Sequence, residues 1–197
     1  MSIPTIFERN HPKLAILARK TIGIAGCGGL GSNAAIALAR AGIGTLVLAD
    51  FDTVEWSNLN RQQYTADDIG ILKTEALKKH IMTITPHTTV RIFSEQVSKE
   101  NIQQIFGACD ILIEAFDTSR SKVQLIEQWM RLFPNRPVIS GSGMAGIGHL
   151  DELTVRKMGN LYICGDEKRD MEELFSPARV AIVGLMQAEI AMELLVQ

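Results

Sequence analysis

Short apolar runs alternate along this chain with segments whose apolar residues recur at helical spacing. The runs at 45–49 (TLVLA) and 110–115 (DILIEA) are almost wholly apolar, as in strands buried on both faces of a parallel sheet. Strands are predicted at residues 21–25, 45–49, 88–93, 110–115 and 137–140. Helices are predicted between them at 32–41, 73–83, 99–106 and 119–133. The alternation indicates an α/β fold with a doubly wound, Rossmann-like, mostly parallel sheet.

The rhythm changes after Gly148. The segments HLDELTVRK and NLYIC are two strand candidates with no helix between them, which predicts an antiparallel pair added at the C-terminal edge of the sheet. The last apolar segment, 178–196, is expected to form a long helix that packs against the sheet or a partner. With 197 residues, the chain is long enough for one well-buried core and short for two, so a single domain is expected.

Composition excludes several classes of function. The net charge of -2 provides no basic field for a nucleic-acid backbone, and no polybasic segment is present for an anionic membrane. No apolar run approaches the roughly 20 residues that cross a bilayer, and the N-terminus lacks a signal-peptide pattern, so a cytoplasmic protein is expected. The three cysteines form no C-x-x-C pair, which argues against a disulfide framework or a cysteine zinc site.

A glycine-rich turn joins the first predicted strand to the first predicted helix. Residues 26–31 (GCGGLG) satisfy G-x-G-x-x-G in the strand–turn–helix context that the motif requires. Glycines allow the sharp turn and let backbone amides approach phosphates at the positive end of the helix. Asp50, 19 residues past Gly31, ends the second strand and is placed to bind ribose hydroxyls. An adenine nucleotide or dinucleotide is therefore predicted, and an NAD-dependent oxidoreductase fits this motif as well.

The polar segment 50–72 is too long for an ordinary connection in a compact domain, which suggests a binding loop. Its first part, DFDTVEWSNLNRQ, places carboxylates, amides and an arginine close together, and Lys73 follows. Nucleotidyl transfer needs such a set, because triphosphate charge is neutralised by Arg, Lys and a divalent metal held by carboxylates. A nicotinamide site does not need it. The alternative interpretation is a solvated polar loop.

Four motifs, in order over residues 26–122, resemble the adenylation domain of the ThiF/MoeB/HesA family, which is E1-like. They are GCGGLGS, ADFDTVEWSNLNRQQY, GILKTEAL and EAFDTSRSK. The later GSGMAGIGHL and the apolar C-terminal helix are also similar to short ThiF-type proteins. The resemblance implies one adenylation domain over residues 1–197, with its nucleotide-binding half at about 20–122. Among family members, the chain looks most like the sulfur-carrier adenylyltransferases of thiamine biosynthesis.

The resemblance also implies which residues bind ATP. Gly29 would lie against the nucleotide and Asp50 would hold the ribose. Asn58, Arg61 and Lys73 would contact the triphosphate. The other implied contact residues are Gly26, Gly28, Gly31, Asp52, Ser57, Leu59, Asn60, Asp117 and Thr118.

The same resemblance implies a catalytic set. Asp117 would bind Mg²⁺, with Asp52 as a helper at the metal, and Arg61, Lys73 and Asp117 would be the catalytic residues. Family members insert an N-terminal arginine from one protomer into the other's site, and Arg9 is the candidate here. An ordinary solvated arginine is the alternative interpretation of Arg9, and Arg19 is a rival candidate. A homodimer is implied as well.

The implied reaction is attack by the C-terminal glycine carboxylate of a ubiquitin-like sulfur-carrier protein, ending in Gly-Gly, on the α-phosphate of ATP. Pyrophosphate leaves and an acyl adenylate remains, without a protein nucleophile. Two alternatives stay open: a nucleotide-binding partner of an E1-like complex that has lost catalysis, and an NAD-dependent oxidoreductase. The presence of Arg61, Lys73 and Asp117 favours the active enzyme.

The chain departs from the family pattern at two places. Many relatives carry two C-x-x-C pairs that hold zinc, and their absence here predicts no structural zinc. The segment EAFDT keeps Asp117 but lacks the amide that follows it in the family. Cys164 lies near the region where some relatives use a covalent cysteine, although a buried thiol is the stronger interpretation. The place of Cys27 near a helix N-terminus would lower the pKa of its thiol.

Overall fold

The computed structural model describes residues 12–169 and 176–197. Within this part of the chain, seven strands form one sheet in the order β3-β2-β1-β4-β5-β7-β6. The strands are β1 (Thr21–Ala25), β2 (Thr45–Ala49), β3 (Thr89–Phe93), β4 (Ile111–Glu114), β5 (Val138–Gly141), β6 (Thr154–Met158) and β7 (Leu161–Gly165). The α-helices are α1 (Gly29–Ala41), α2 (Lys73–Ile84), α3 (Ile102–Phe106), α4 (Ser119–Leu132) and α5 (Pro177–Val196). Short 3₁₀ helices lie at Pro12–Arg19, Trp56–Asn58, Ala66–Asp68 and Leu150–Glu152.

Strand β1 lies in the interior of the doubly wound sheet. It pairs in parallel with β2 on one side and β4 on the other, so the strand order reverses there. Ala25 is level with Ala49 of β2 and with Glu114 of β4, which brings the carboxyl ends of the three strands to one height. In open α/β sheets, ligands bind in the crevice outside such ends.

The C-terminal edge of the sheet confirms the predicted antiparallel pair. Strand β6 pairs antiparallel with β7, with Thr154 opposite Gly165 and Met158 opposite Leu161. Strand β7 runs parallel to β5, so only the outermost strand is reversed. The fold class predicted from the sequence is therefore confirmed.

The sheet has a separate apolar core on each face, because successive side chains of a strand point to opposite faces. Ile22 and Ile24 of β1 belong to the core under α1, α2 and α5, whereas Ala25 belongs to the core under α3 and α4. Helix α5 packs closely on α1 at Gly184, where an added Cβ would lie 2.7 Å from the carbonyl oxygen of Leu30. None of the helices in the described ranges combines the length and hydrophobicity needed to cross a bilayer.

Two helices begin three residues away from the start that the periodicity predicts. Helix α1 begins at Gly29 instead of residue 32, because the last part of the glycine turn already has helical conformation. Helix α3 begins at Ile102 instead of residue 99, because the Asn101 side-chain oxygen accepts a hydrogen bond from Ser98 N at 2.8 Å and closes a turn there.

Candidate active site

A cleft of about 1080 Å³ opens at the carboxyl ends of β1, β2, β4 and β5. Its walls come from the glycine turn, the polar loop after β2, the start of α2 and the loop between β4 and α4. The predicted site residues that line it are Gly26, Gly28, Gly29, Asp50, Asp52, Asn58, Arg61, Lys73, Asp117 and Thr118. Four other predicted residues, Gly31, Ser57, Leu59 and Asn60, are not part of its lining.

The glycine turn is fixed by close backbone contacts. Gly26 has a φ of +97°, and a Cβ there would lie 2.7 Å from the Ala115 carbonyl oxygen of β4's following loop. A Cβ at Gly31 would lie 1.8 Å from Gly26 O, so this glycine makes the turn possible without lining the cleft. Gly28 is the N-cap of α1 and supplies no side-chain cap, so the positive end of the helix faces the cleft.

Asp50 joins the glycine turn to the end of β2. Its carboxylate accepts hydrogen bonds from Cys27 N at 2.6 Å and from Asp52 N at 2.9 Å. Burial raises the pKa of Asp50, and the two backbone hydrogen bonds and the Lys73 ammonium oppose that rise only in part. A carboxylate has about four acceptor positions, so acceptor capacity remains for ribose hydroxyls.

Lys73 is a buried cation at the first residue of α2. Its Nζ lies 2.7 Å from Asp52 Oδ2, and the Asp52 side chain is 48% exposed while that of Lys73 is 9% exposed. The Tyr64 hydroxyl donates to Lys73 O at 3.2 Å and to Cys27 O at 2.7 Å, which ties the helix start to the glycine turn. The ammonium group is therefore held beside the turn by a carboxylate that water can reach.

Hydrogen bonds fix both the side chain and the backbone of Arg61. Its Nη1 donates to Ser57 O at 2.8 Å and to Asn60 Oδ1 at 2.9 Å. Its backbone carbonyl accepts a hydrogen bond from Asn33 Nδ2 at 3.1 Å, and the same amide bonds to Gly29 O at 2.7 Å. Ser57 and Asn60 thus orient the guanidinium group although they lie outside the cleft lining.

Asn58 is a second amide that fixes this loop. It is buried at the end of the 3₁₀ helix Trp56–Asn58, and its Oδ1 accepts from Glu55 N at 3.0 Å. Leu59 packs against the core, which explains why it does not line the cleft. The loop is therefore held by side chains on both the core and the cleft side.

Asp117 is exposed in the loop between β4 and α4, and a buried carboxylate supports that loop. Glu114 accepts hydrogen bonds from Phe116 N at 2.7 Å, from Lys122 Nζ at 2.5 Å and from Ser140 Oγ at 2.6 Å. Thr118 caps α4 by accepting from Ser121 N at 3.3 Å. The backbone on both sides of Asp117 is thus anchored while its own carboxylate faces the cleft.

Asp166 organises the segment after β7, whose residues 167–169 form a further wall of the cleft. Its carboxylate binds Arg179 Nη2 at 2.6 Å, Arg169 Nη1, and the backbone N–H groups of Lys168 and Arg169. Burial alone would raise the pKa of Asp166, but these hydrogen bonds and the Arg179 charge lower it to about 2. Arg179 also donates to Gly148 O at 2.5 Å, so the start of α5, the end of β7 and the loop after β5 are joined.

Residues 4–197, which are almost the whole chain, match one protein family. The chain belongs to the ThiF family. The adenylyltransferase and sulfurtransferase UBA4 of Scheffersomyces stipitis is 32% identical over 149 residues, which cover 75% of this chain and 33% of that protein. MOCS3 of Drosophila virilis, with the same description, is also 32% identical over 149 residues, covering 75% and 32%. The chain spans about a third of the length of these curated relatives.

Solved structures share the fold of this ThiF-family chain. The tRNA N6-threonylcarbamoyladenosine dehydratase TcdA of E. coli, in complex with AMP, superposes with a TM-score of 0.83 at 24% identity, covering 93% of this chain and 88% of that chain. The same enzyme in complex with ATP gives 0.80 at 25% identity, with the same coverage. E. coli MccB with ATP gives 0.74 at 18% identity, covering 93% and 58%.

The cysteines of this ThiF-family chain are all buried. The predicted low pKa of Cys27 is wrong, because burial, and next the negative charge of Asp50, raise the pKa of its thiol well above the usual value. Burial also raises the pKa of Cys164 to about 12 and that of Cys109 to about 12. A helix N-terminus does not produce a thiolate when the sulfur has no access to water.

The predicted site residue Arg9 lies outside the described residues. Within the described ranges, no cluster of three or more His, Cys, Asp or Glu side chains could hold a metal ion.

Sequence reasoning missed several polar residues that build the site: Asn33, Glu114, Lys122, Asp166 and Arg179. The available signal was a polar residue within an apolar helix or at the end of an apolar strand, since buried polar groups are rare unless they are hydrogen-bonded.

Proposed function

We propose that this protein is an ATP-dependent adenylyltransferase that activates the C-terminal glycine carboxylate of a ubiquitin-like sulfur-carrier protein. The observation that carries the proposal is the single cleft that gathers the glycine turn, Asp50, Arg61, Lys73 and Asp117 at the reversal point of the sheet. A nicotinamide site does not need two cations beside the turn. The description of UBA4 and MOCS3 as adenylyltransferases supports the reaction, and the TcdA complex with ATP supports the nucleotide.

The geometry assigns a task to each wall of the cleft. The amides of the glycine turn and the positive end of α1 bind phosphate oxygens, and Asp50 accepts from the ribose. Arg61 and Lys73 neutralise the charge that accumulates on the phosphates as the carboxylate attacks the α-phosphate. Lys73 already lies at the turn and exchanges Asp52 for phosphate when ATP binds.

A divalent cation fits the carboxylates of this cleft. Mg²⁺ is usually held by one or two carboxylates together with substrate phosphates and water, so a dedicated cluster of protein ligands is not required. Asp117 and Asp52 are both exposed, and both line the cleft. We propose that Asp117 holds Mg²⁺ with the phosphates and that Asp52 assists; the metal would supply further charge neutralisation.

The reaction needs no protein nucleophile. A carboxylate becomes a good electrophile once AMP is its leaving group, and positioning with charge neutralisation supplies the rate enhancement. The three buried thiols agree with this scheme. We therefore assign the formation of the acyl adenylate to this cleft, and assign the later sulfur transfer to no cysteine of the chain.

We propose that the carrier is a ThiS-like protein of thiamine thiazole biosynthesis, and that the adenylyltransferase acts as a cytoplasmic homodimer in which Arg9 reaches the partner's site. The resemblance of the four motifs and the apolar helix α5 supports this assignment.

The test is Mg²⁺-dependent exchange between pyrophosphate and ATP with purified protein. One arm contains a carrier that ends in Gly-Gly, and a matched arm contains the same carrier without its last two residues. We expect exchange only with the intact carrier. ATP binding without exchange, with any ubiquitin-like carrier, would instead indicate a nucleotide-binding partner that has lost catalysis, and NAD binding without ATP binding would indicate an oxidoreductase.

A further inference from the structure

The side chain of Gln62 lines the cleft but has no role in the binding scheme above. Only 8% of the residue is exposed. Its Oε1 is buried and has no hydrogen-bond partner in the part of the chain that the structure describes. A buried carbonyl oxygen without a partner costs free energy, so a position that keeps one has a reason outside the stability of the fold.

The backbone on both sides of Gln62 is fixed to the first turns of α1. Asn33 Nδ2 donates to Arg61 O at 3.1 Å, and Ser32 Oγ accepts from Gln63 N at 3.1 Å. Gln63 Nε2 also donates to Asn33 Oδ1 at 2.7 Å. Residue 62 is therefore held between two attachment points, in a fixed position relative to the glycine turn.

The amide nitrogen of Gln62 faces that turn. Its Nε2 lies 3.7 Å from the position that a Cβ would occupy at Gly28, the N-cap of α1. A phosphate at the N-terminus of α1 would lie beside this N–H group. Phosphate oxygens only accept hydrogen bonds, and hydrogen bonds to charged acceptors are stronger than neutral ones.

We propose that Gln62 is a nucleotide-binding residue whose Nε2 donates a hydrogen bond to a phosphate oxygen of the ATP bound at the Gly28 turn. The inference rests on the proposed function only in requiring a nucleotide in the cleft.

The experiment measures ATP binding by calorimetry and thermal unfolding for Gln62→Met and Gln62→Glu, with Gln103→Met as a control on the exposed surface of α3. Gln62→Met keeps the length of the side chain and removes both amide atoms. We expect ATP to bind about tenfold more weakly, as for the loss of one hydrogen bond to a charged group. The melting temperature should equal or exceed that of the wild type, because the unpartnered carbonyl is gone.

Gln62→Glu separates phosphate from ribose as the contact. A carboxylate near phosphate should weaken ATP and inorganic tripolyphosphate more than Gln62→Met does, while adenosine binding stays unchanged. Wild-type affinity in Gln62→Met, tighter ATP binding by Gln62→Glu, or a lower melting temperature for Gln62→Met would each overturn the inference. Failure of the wild-type protein to bind ATP would overturn the proposed function itself, so the two failures are distinguishable.

Discussion

The two walls of the cleft surround their buried carboxylates with different hydrogen-bond donors. On the glycine-turn wall, Asp50 accepts only backbone hydrogen bonds and burial raises its pKa, and the nearby Lys73 is paired with the half-exposed Asp52. On the wall after β7, Asp166 is surrounded by two guanidinium groups and two backbone N–H groups, and its pKa falls to about 2. The Asp50 carboxylate therefore has backbone donors only, whereas both oxygens of Asp166 accept hydrogen bonds and one of them lies beside two guanidinium groups.

Asp50 and Asp166 are both buried, so burial alone does not explain the difference between their pKa values. Desolvation raises the pKa of Asp50 and would raise that of Asp166, so the opposite outcomes come from the donors around each carboxylate. An incompletely paired charge is poorly stabilised until a ligand arrives, and this leaves interaction energy for binding. The comparison predicts that substitutions on the two walls separate activity from stability.

The largest effect is expected on the wall of Asp166. Asp166→Asn keeps the shape of the side chain but leaves the guanidinium of Arg179, 2% exposed, without its charged partner. Removing one member of a buried ion pair costs about 3–5 kcal/mol, since the remaining charge is uncompensated. Chemical denaturation should show this loss, and Asp151→Asn, an exposed acid nearby, should stay within about 0.5 kcal/mol of the wild type.

The pH dependence sharpens this prediction. The pKa of Asp166 falls from 3.8 to about 2 on folding, so its contribution to stability is present above pH 4 and is lost as the pH falls towards 2. That contribution is about 2 kcal/mol. Asp166→Asn should therefore flatten the acid limb of the stability curve between pH 4 and 2. An unchanged acid limb would show that Asp166 is not the group responsible.

On the glycine-turn wall we expect a smaller effect, and we expect it on activity instead of stability. Lys73→Met removes the ammonium and leaves Asp52, whose side chain is 48% exposed, in contact with water. Adenylate formation should fall about 100- to 1000-fold, the range for removal of one preorganised electrostatic contact, while the melting temperature changes little. Lys79→Met, on an exposed face of the same helix, should retain activity. Loss of folding in Lys73→Met would contradict the distinction between the walls.

The two walls also differ in what the sequence could predict. The glycine turn is a local pattern, and its spacing predicts the place of Asp50. The polar loop is also a local pattern, and its resemblance to the ThiF family implies the roles of Asn58, Arg61 and Lys73. The contact between Glu114 and Ser140 joins separate strands, and its partners follow only from the strand order.

Arg179 shows the same limit of local patterns. It stands in an apolar helix where periodicity gives no indication of a buried ion pair with Asp166. Long-range pairing of this kind depends on packing and not on the residues within one segment.

The smallest effect is expected at Cys164, which is not part of the lining of the cleft. Its sulfur is fully buried at the end of β7 and burial raises its pKa to about 12, so it has neither access nor thiolate character. Cys164→Ala should keep adenylate formation and transfer of sulfur to the carrier within about twofold of the wild type. The cost should be on the order of 1 kcal/mol in stability, from the small cavity left by the sulfur. Loss of sulfur transfer, with adenylate formation intact, would show that β7 opens to expose a covalent cysteine.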